Sequence, residues 1–152
     1  NAISDAMFYV EKQTKDMKLA HPAGISVCEE ATCPDALESR WAHHSRENVL
    51  ANVKALQWLF HGGPDADTDL GFDDVLTEMG ASPLATDFGT NLSTAVSALS
   101  SMDMSFVEAL SSDPQAVVDI YDVVKGATDL LKTEFMGTLD LEIPNRAAGD
   151  ND

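Results

Sequence analysis

The residues with the clearest chemical potential lie together at positions 38–48, which read Glu-Ser-Arg-Trp-Ala-His-His-Ser-Arg-Glu-Asn. His44 and Glu47 are three residues apart, the spacing that places two side chains on the same face of a helix. An imidazole nitrogen and a carboxylate oxygen are both ligands for a transition metal, but two ligands do not complete a site. His44, with His43 as a weaker second choice, would therefore need partners from elsewhere in the fold. The alternative interpretation is two interfacial histidines where a helix begins.

A helix is predicted directly after this stretch, over residues 46–60. Ser45 is the expected N-cap, with its hydroxyl accepting a hydrogen bond from an N–H group of the first turn. This cap would leave His44 outside the helix and would spoil the face shared with Glu47. The apolar residues at the i, i+4, i+7, i+11 spacing of one helical face are Val49, Val53, Leu56 and Phe60.

A second metal hypothesis concerns the acidic segment at residues 65–71. Three carboxylates at i, i+2 and i+4 resemble the way a calcium loop gathers hard oxygen ligands. The EF-hand pattern is incomplete, because Leu70 stands where it requires glycine and Leu76 where it requires glutamate. The competing interpretation is an acidic loop before a helix, where the helix dipole favours negative charge. The three calcium candidates are Asp65, Asp67 and Asp69.

The two cysteines, Cys28 and Cys33, are separated by four residues in a segment that reads as a loop. Their proximity favours a local disulfide formed in an oxidising compartment. Two free thiols are the first alternative. A metal site is the second, and it has less support because structural zinc takes four ligands and the chain has no second cysteine pair.

Charge and length restrict the class of protein. The 152 residues carry a net charge of −17, with a pI of about 4.2. This charge repels nucleic-acid phosphates and anionic membrane surfaces, so neither is an expected partner. No apolar run approaches the roughly 18 residues that span a bilayer, so no transmembrane segment is predicted.

The apolar periodicity predicts an all-α fold in one domain, residues 1–152. No segment alternates with the period of a β-strand, so no sheet is expected. Four long helices with short connections favour an antiparallel four-helix bundle with short connecting helices. Ser82 is the expected N-cap of the third long helix, and Pro114 opens the fourth. The long helices are predicted at residues 2–20, 46–60, 83–101 and 114–139, and the short ones at 72–79 and after Asp103.

The stretch at residues 38–48, together with Asn52 and the glycine pair at 62–63, resembles the segment that opens the second half of imelysin-like proteins. Its Glu-Ser-Arg-Trp-Ala-His-His-Ser run is similar to the family's E-S-x-[YW]-[SA]-H-x-S pattern. The Asn52-Val53 pair in the following helix is also similar to the family pattern.

Four further segments resemble the same family, so the likeness extends over nearly the whole chain. Residues 18–24 (Lys-Leu-Ala-His-Pro-Ala-Gly) and 71–76 (Gly-Phe-Asp-Asp-Val-Leu) are similar to a turn and a short helix of the family. Residues 139–144 (Leu-Asp-Leu-Glu-Ile-Pro) and the acidic end at 149–152 are similar to its C-terminal pattern.

The resemblance implies an all-helical fold of two related bundles, of which this chain is the C-terminal half. It implies a protein of the bacterial periplasm or outer envelope that takes part in iron uptake. The family signature G-x-H-x-x-E belongs to the other half. Residues 42–47 repeat its His-x-x-Glu with alanine for glycine, but they align with the second-half pattern. The N-terminal half, as a separate chain or as sequence not included here, is therefore an expected partner.

From these features we expect the chain to bind iron or another divalent metal at a cleft between the two halves. The polar residues expected to face that cleft are Ser39, His44, Ser45 and Asn52. One alternative is a zinc-type metallopeptidase, which the family's classification suggests, although this chain has no complete catalytic motif. Another is a structural or partner-binding bundle whose 38–48 side chains pack or hydrogen-bond internally.

Overall fold

A computed structural model describes residues 2–144, which fold into six helices with no β-strand among them. Within this range, no helix is both long and apolar enough to cross a membrane. Residues 149–152, part of the family resemblance, lie outside the described residues. The helices are α1 (Ala2–Tyr9, continuing as π-helix over Val10–Ala20), α2 (Ser45–His61), α3 (Phe72–Glu78), α4 (Ser82–Ser101), α5 (Phe106–Ser112) and α6 (Gln115–Leu130, continuing through Leu131–Phe135 and Met136–Thr138).

The four long helices form a bundle, as predicted. Helix α4 packs between α2 and α6, and the π-helical part of α1 packs against α2 and α6 on the other side. Helices α2 and α4 are antiparallel, because Arg46 contacts Met102 at one end while Gln57 contacts Ser93 further along. The short helices α3 and α5 lie in the connections.

An aromatic cluster occupies one end of the core. The ring centroids of Phe60 and Phe88 are 4.8 Å apart, and Phe135 lies 5.5 Å from both Phe88 and Phe72. Phe60, Phe88 and Phe135 are fully buried. Tilted and edge-to-face pairs at these distances stabilise the fold beyond the burial of their area. The cluster therefore packs α2, α3, α4 and the end of α6 against one another.

Charged residues are buried between α1 and α6, which the sequence pattern did not predict. Glu11 and Lys15 have no exposed area, whereas the apolar Met17 is 55% exposed. The Lys132 Nζ lies 2.8 Å from Glu11 Oε1, and the Lys15 Nζ lies 3.2 Å from the same oxygen. Both helices are π-helical here. A wider turn changes which positions face inward, so the 3.6-residue period does not describe this segment.

Two predicted helix caps are wrong. Ser45 is the first residue of α2, and its Oγ accepts a hydrogen bond from the Ser39 N–H instead of capping the helix. Ser82 is likewise the first residue of α4, which has no side-chain cap. The effective cap is at α5, where Ser105 and Glu108 form a reciprocal capping box.

The predicted disulfide is confirmed, and it closes the loop after α1. Cys28 and Cys33 are bonded, with their Cα atoms 6.0 Å apart. The Cys33 N–H donates to the Pro22 carbonyl across the loop. Gly24 has a φ of +78°, and a Cβ at this position would lie only 2.2 Å from the Ala31 carbonyl oxygen. The turn therefore requires glycine for both its backbone conformation and its space.

Candidate functional site

The loop before α2 is built on hydrogen bonds among its own polar residues. The Asn48 amide donates to the Ser39 hydroxyl at 2.9 Å and to the Glu38 carboxylate at 3.2 Å. The Ser39 N–H donates to the Ser45 Oγ at 3.2 Å, and Ser45 is buried. Two of the predicted cleft residues, Ser39 and Ser45, thus hold the loop on the first turns of α2.

Lys18 joins this framework to the end of α1. Its ammonium donates to the Asn52 Oδ1 at 2.8 Å and lies 3.1 Å from the Glu38 carboxylate. The Lys18 side chain is largely buried, with 12% exposed. Residues from three separate sequence motifs therefore meet at one ammonium group. Lys18 was not a predicted site residue, because it is distant from the loop in the sequence. We call Lys18, Glu38, Ser39, Ser45, Asn48 and Asn52 the loop framework.

The outer face of the same loop is exposed. Trp41 is 87% exposed, and His43 and His44 are exposed beside it. The Arg40 guanidinium lies 4.5 Å from the Trp41 ring centroid, a cation–π arrangement that orients the indole. His43 has φ 54° and ψ 30°, a left-handed conformation that non-glycine residues adopt rarely and that often marks functional loops.

The fold brings His43 to helix α5, a neighbour that sequence spacing could not reveal. The His43 Nδ1 lies 3.3 Å from the Ser105 Oγ, which in turn donates to the Glu108 carboxylate at 2.8 Å. The backbone N–H and the hydroxyl of Ser105 lower the pKa of Glu108, and the nearby His43 adds to this effect. An imidazole and an ionised carboxylate thus lie on either side of one hydroxyl.

His44 and Glu47, considered above as two possible metal ligands, each contact other groups. The His44 Nδ1 lies 3.2 Å from the Ala42 carbonyl oxygen. The Arg46 guanidinium pairs with Glu47 and also reaches the Met102 carbonyl. Burial raises the pKa of Glu47, but the hydrogen bonds and charge of Arg46 outweigh it, so the pKa lies below its usual value. Glu47 therefore holds the Arg46 guanidinium, and Arg46 joins α2 to the end of α4.

In the predicted calcium loop Asp65 and Asp67 are exposed and Asp69 is partly buried, and two of the three carboxylates accept hydrogen bonds from backbone N–H groups. The Asp69 Oδ2 accepts from the Asp65 N–H at 3.0 Å, and the Asp65 Oδ1 accepts from the Asp67 N–H at 3.2 Å. In residues 2–144, no three His, Cys, Asp or Glu side chains are grouped so that they could hold a metal ion. Calcium binding by this loop stays a prediction.

A second polar pair lies at the opposite end of α2. The His61 Nδ1 lies 2.6 Å from the Asp73 Oδ2, and both side chains are mostly buried. His61 and Asp73 are 12 residues apart in the sequence, on either side of a loop. The single available signal was a histidine close to an acidic short helix, and that spacing alone does not predict contact.

No protein-family model, curated protein or solved structure matches the chain.

Proposed function

We propose that the chain is the C-terminal helical half of an imelysin-like envelope protein and binds iron or a related ligand where it meets the other half. The main support is that residues 38–48 have two sides. The side chains on one side hydrogen-bond within the protein, and those on the other side are exposed. Trp41, His43 and His44 lie on the exposed side. A tryptophan that is 87% exposed is a typical anchor for an interface, because burying it on a partner removes a large apolar area from water.

In this proposal His43 and His44 are the metal ligands of this half. Imidazole suits iron, and the −17 net charge favours the approach of a cation. Ser39, Ser45 and Asn52 act by positioning the loop, since their hydrogen bonds are made within the framework. The other half supplies the remaining ligands.

The proposal is tested on protein purified from its source in the assembly in which it occurs. Native mass spectrometry identifies a second polypeptide, and elemental analysis measures iron. We expect the double variant His43→Ala/His44→Ala to lose most of the iron. The matched control is His21→Ala, which removes a histidine outside the site and should retain it. Equal iron in both variants, or no iron in the wild-type assembly, would contradict the proposal.

The second candidate is a partner-binding bundle without a metal, and the exposed Trp41 supports it equally. Under this alternative, Trp41→Ala weakens association with the partner, while the wild-type complex contains no stoichiometric metal. A zinc peptidase requires about three protein ligands and an open position for water. Peptide cleavage by the assembly that a chelator abolishes would favour that activity.

A further inference from the structure

An open groove of about 680 Å³ runs between α2 and α4, and none of its lining residues belongs to the loop before α2. Its walls are the last turns of α2 and the face of α4 that carries Thr86, Gly89, Thr90 and Ser93. Among the described residues that line it, none has an Asp, Glu, Lys or Arg side chain, although these types make up 23% of the chain. A ligand that matches this groove is uncharged.

His61 lies at the end of the groove, with its Nδ1 2.6 Å from the Asp73 Oδ2. A carboxylate oxygen accepts, so the Nδ1–H donates to it, and Nε2 is the ring nitrogen left for a ligand. Within residues 2–144 this is the only hydrogen bond of the ring. A Cβ at Gly89 would lie 3.8 Å from the His61 Cε1, so this edge of the imidazole borders the space left open by the glycine.

The remaining polar groups provide both donors and acceptors. The Gln57 Nε2 donates to the Ser93 Oγ at 3.1 Å, which leaves the Gln57 carbonyl and the Ser93 hydroxyl proton for a ligand. The hydroxyls of Thr86 and Thr94 donate to carbonyls of their own helix, and their oxygens still have lone pairs. The indole of Trp58 is 51% exposed and lines the same groove.

We propose that this groove binds an uncharged saccharide. Sugar hydroxyls donate and accept together, so they can donate to the His61 Nε2 and accept from the Ser93 hydroxyl. The C–H face of a pyranose ring is flat and apolar, and the Trp58 indole offers a matching surface. The groove volume lies within the usual range of small-molecule sites. This site is separate from the one in the proposed function and does not depend on it.

The test is a titration of the intact chain, followed by ¹H–¹⁵N NMR, with glucose, N-acetylglucosamine and their β-1,4-linked disaccharides. Glucuronic acid is the charged comparison. We expect saturable shifts of the Trp58 indole N–H and of backbone amides near Gly89 and Ser93. Trp41 is not among the residues that line the groove, so its indole N–H provides an internal reference that should not shift. Affinity in the millimolar range suffices for an open site.

Three variants test whether the groove is a specific saccharide-binding site. Trp58→Ala should weaken saccharide binding roughly tenfold, as loss of an aromatic anchor commonly does. Leu59→Ala, the neighbouring exposed residue outside this groove, is the matched control and should bind as the wild type does. Gly89→Ala adds a methyl group in ordinary contact with Phe60 and favours helix, so it should weaken binding without unfolding the chain.

Several results would overturn the proposal. One is the absence of saturable shifts with any neutral sugar up to tens of millimolar. Another is equal loss of binding in Trp58→Ala and Leu59→Ala. Binding of glucuronic acid as tight as that of glucose would contradict an uncharged site. Shifts at the groove that follow protein concentration and not sugar would show that a second copy of the chain occupies it.

Discussion

Replacing Glu11 with glutamine should destabilise the protein more than any surface change, because it removes a buried carboxylate that two lysines share. Glu11 is fully buried, and the ammonium groups of Lys132 and Lys15 lie 2.8 and 3.2 Å from the same oxygen. At an effective dielectric constant of about 20, each contact contributes roughly 5–6 kcal/mol of gross attraction. Desolvation of the three ions costs several kcal/mol each, so the net contribution of the intact cluster is small.

The glutamine variant keeps the shape but loses the charge, so the buried Lys15 and the largely buried Lys132 lose a close carboxylate, while the partly exposed Asp16 and Asp129 stay nearby. Breaking a buried ion pair in this way costs about 3–5 kcal/mol. For a chain of this size, that loss lowers the melting temperature by roughly 10 °C. Urea unfolding followed by circular dichroism measures the free energy directly.

The matched control replaces all three charges with apolar residues, as Glu11→Met/Lys15→Met/Lys132→Leu. Because no ion then stays buried, this triple variant should recover most or all of the stability lost in Glu11→Gln. If Glu11→Gln lowers the free energy of unfolding by less than about 1 kcal/mol, solvent screens the charges of the cluster. A triple variant as unstable as the single one would show that the ions themselves contribute strongly to stability. Either result would refute the reasoning.

The same cluster predicts a pH dependence. Burial raises the pKa of Glu11, but Lys132, Thr128 and Lys15 together outweigh it, so the pKa lies below its usual value. Because the folded pKa is depressed, the stabilisation is fully present above the unfolded value of about 4.3 and is lost as the pH falls through the folded pKa. The difference in the free energy of unfolding between the wild type and Glu11→Gln should therefore become smaller below about pH 4.

Three further predictions concern local features. Cys28→Ser removes the disulfide and should destabilise the protein by about 2 kcal/mol through the loss of loop-closure entropy. The melting temperature of this variant should be lower than that of the wild type, and a reductant should not lower it further. Gly24→Ala should destabilise by more than about 2 kcal/mol, since φ is +78° and the Cβ meets a carbonyl, whereas Gly137→Ala has open space and should be neutral or stabilising. Ser105→Ala should cost about 1 kcal/mol and raise the pKa of Glu108, followed by NMR titration of its side chain.

Within the candidate site, sequence reasoning found the stretch that carries the polar groups but could not assign their directions. Ser39, Ser45 and Asn52 were expected to face a cleft, and their hydrogen bonds lie within the loop framework. The partners of these groups, such as Lys18, are up to 34 residues away in sequence. The contact between His43 and Ser105 spans 62 residues. Periodicity over a few turns contains no information about such pairs.

The sequence by itself determined the helical class, the approximate bounds of the long helices and the local disulfide, because each depends on residues close together in the chain. Apolar spacing identified the inward face of α2, where the backbone is regular. Only the tertiary structure decided that Glu11 and Lys15 are buried, because π-helical turns change the inward face and the balancing charge of Lys132 comes from the other end of the chain. The pairing of His61 with Asp73 beside the groove likewise depends on how α2, α3 and α4 pack.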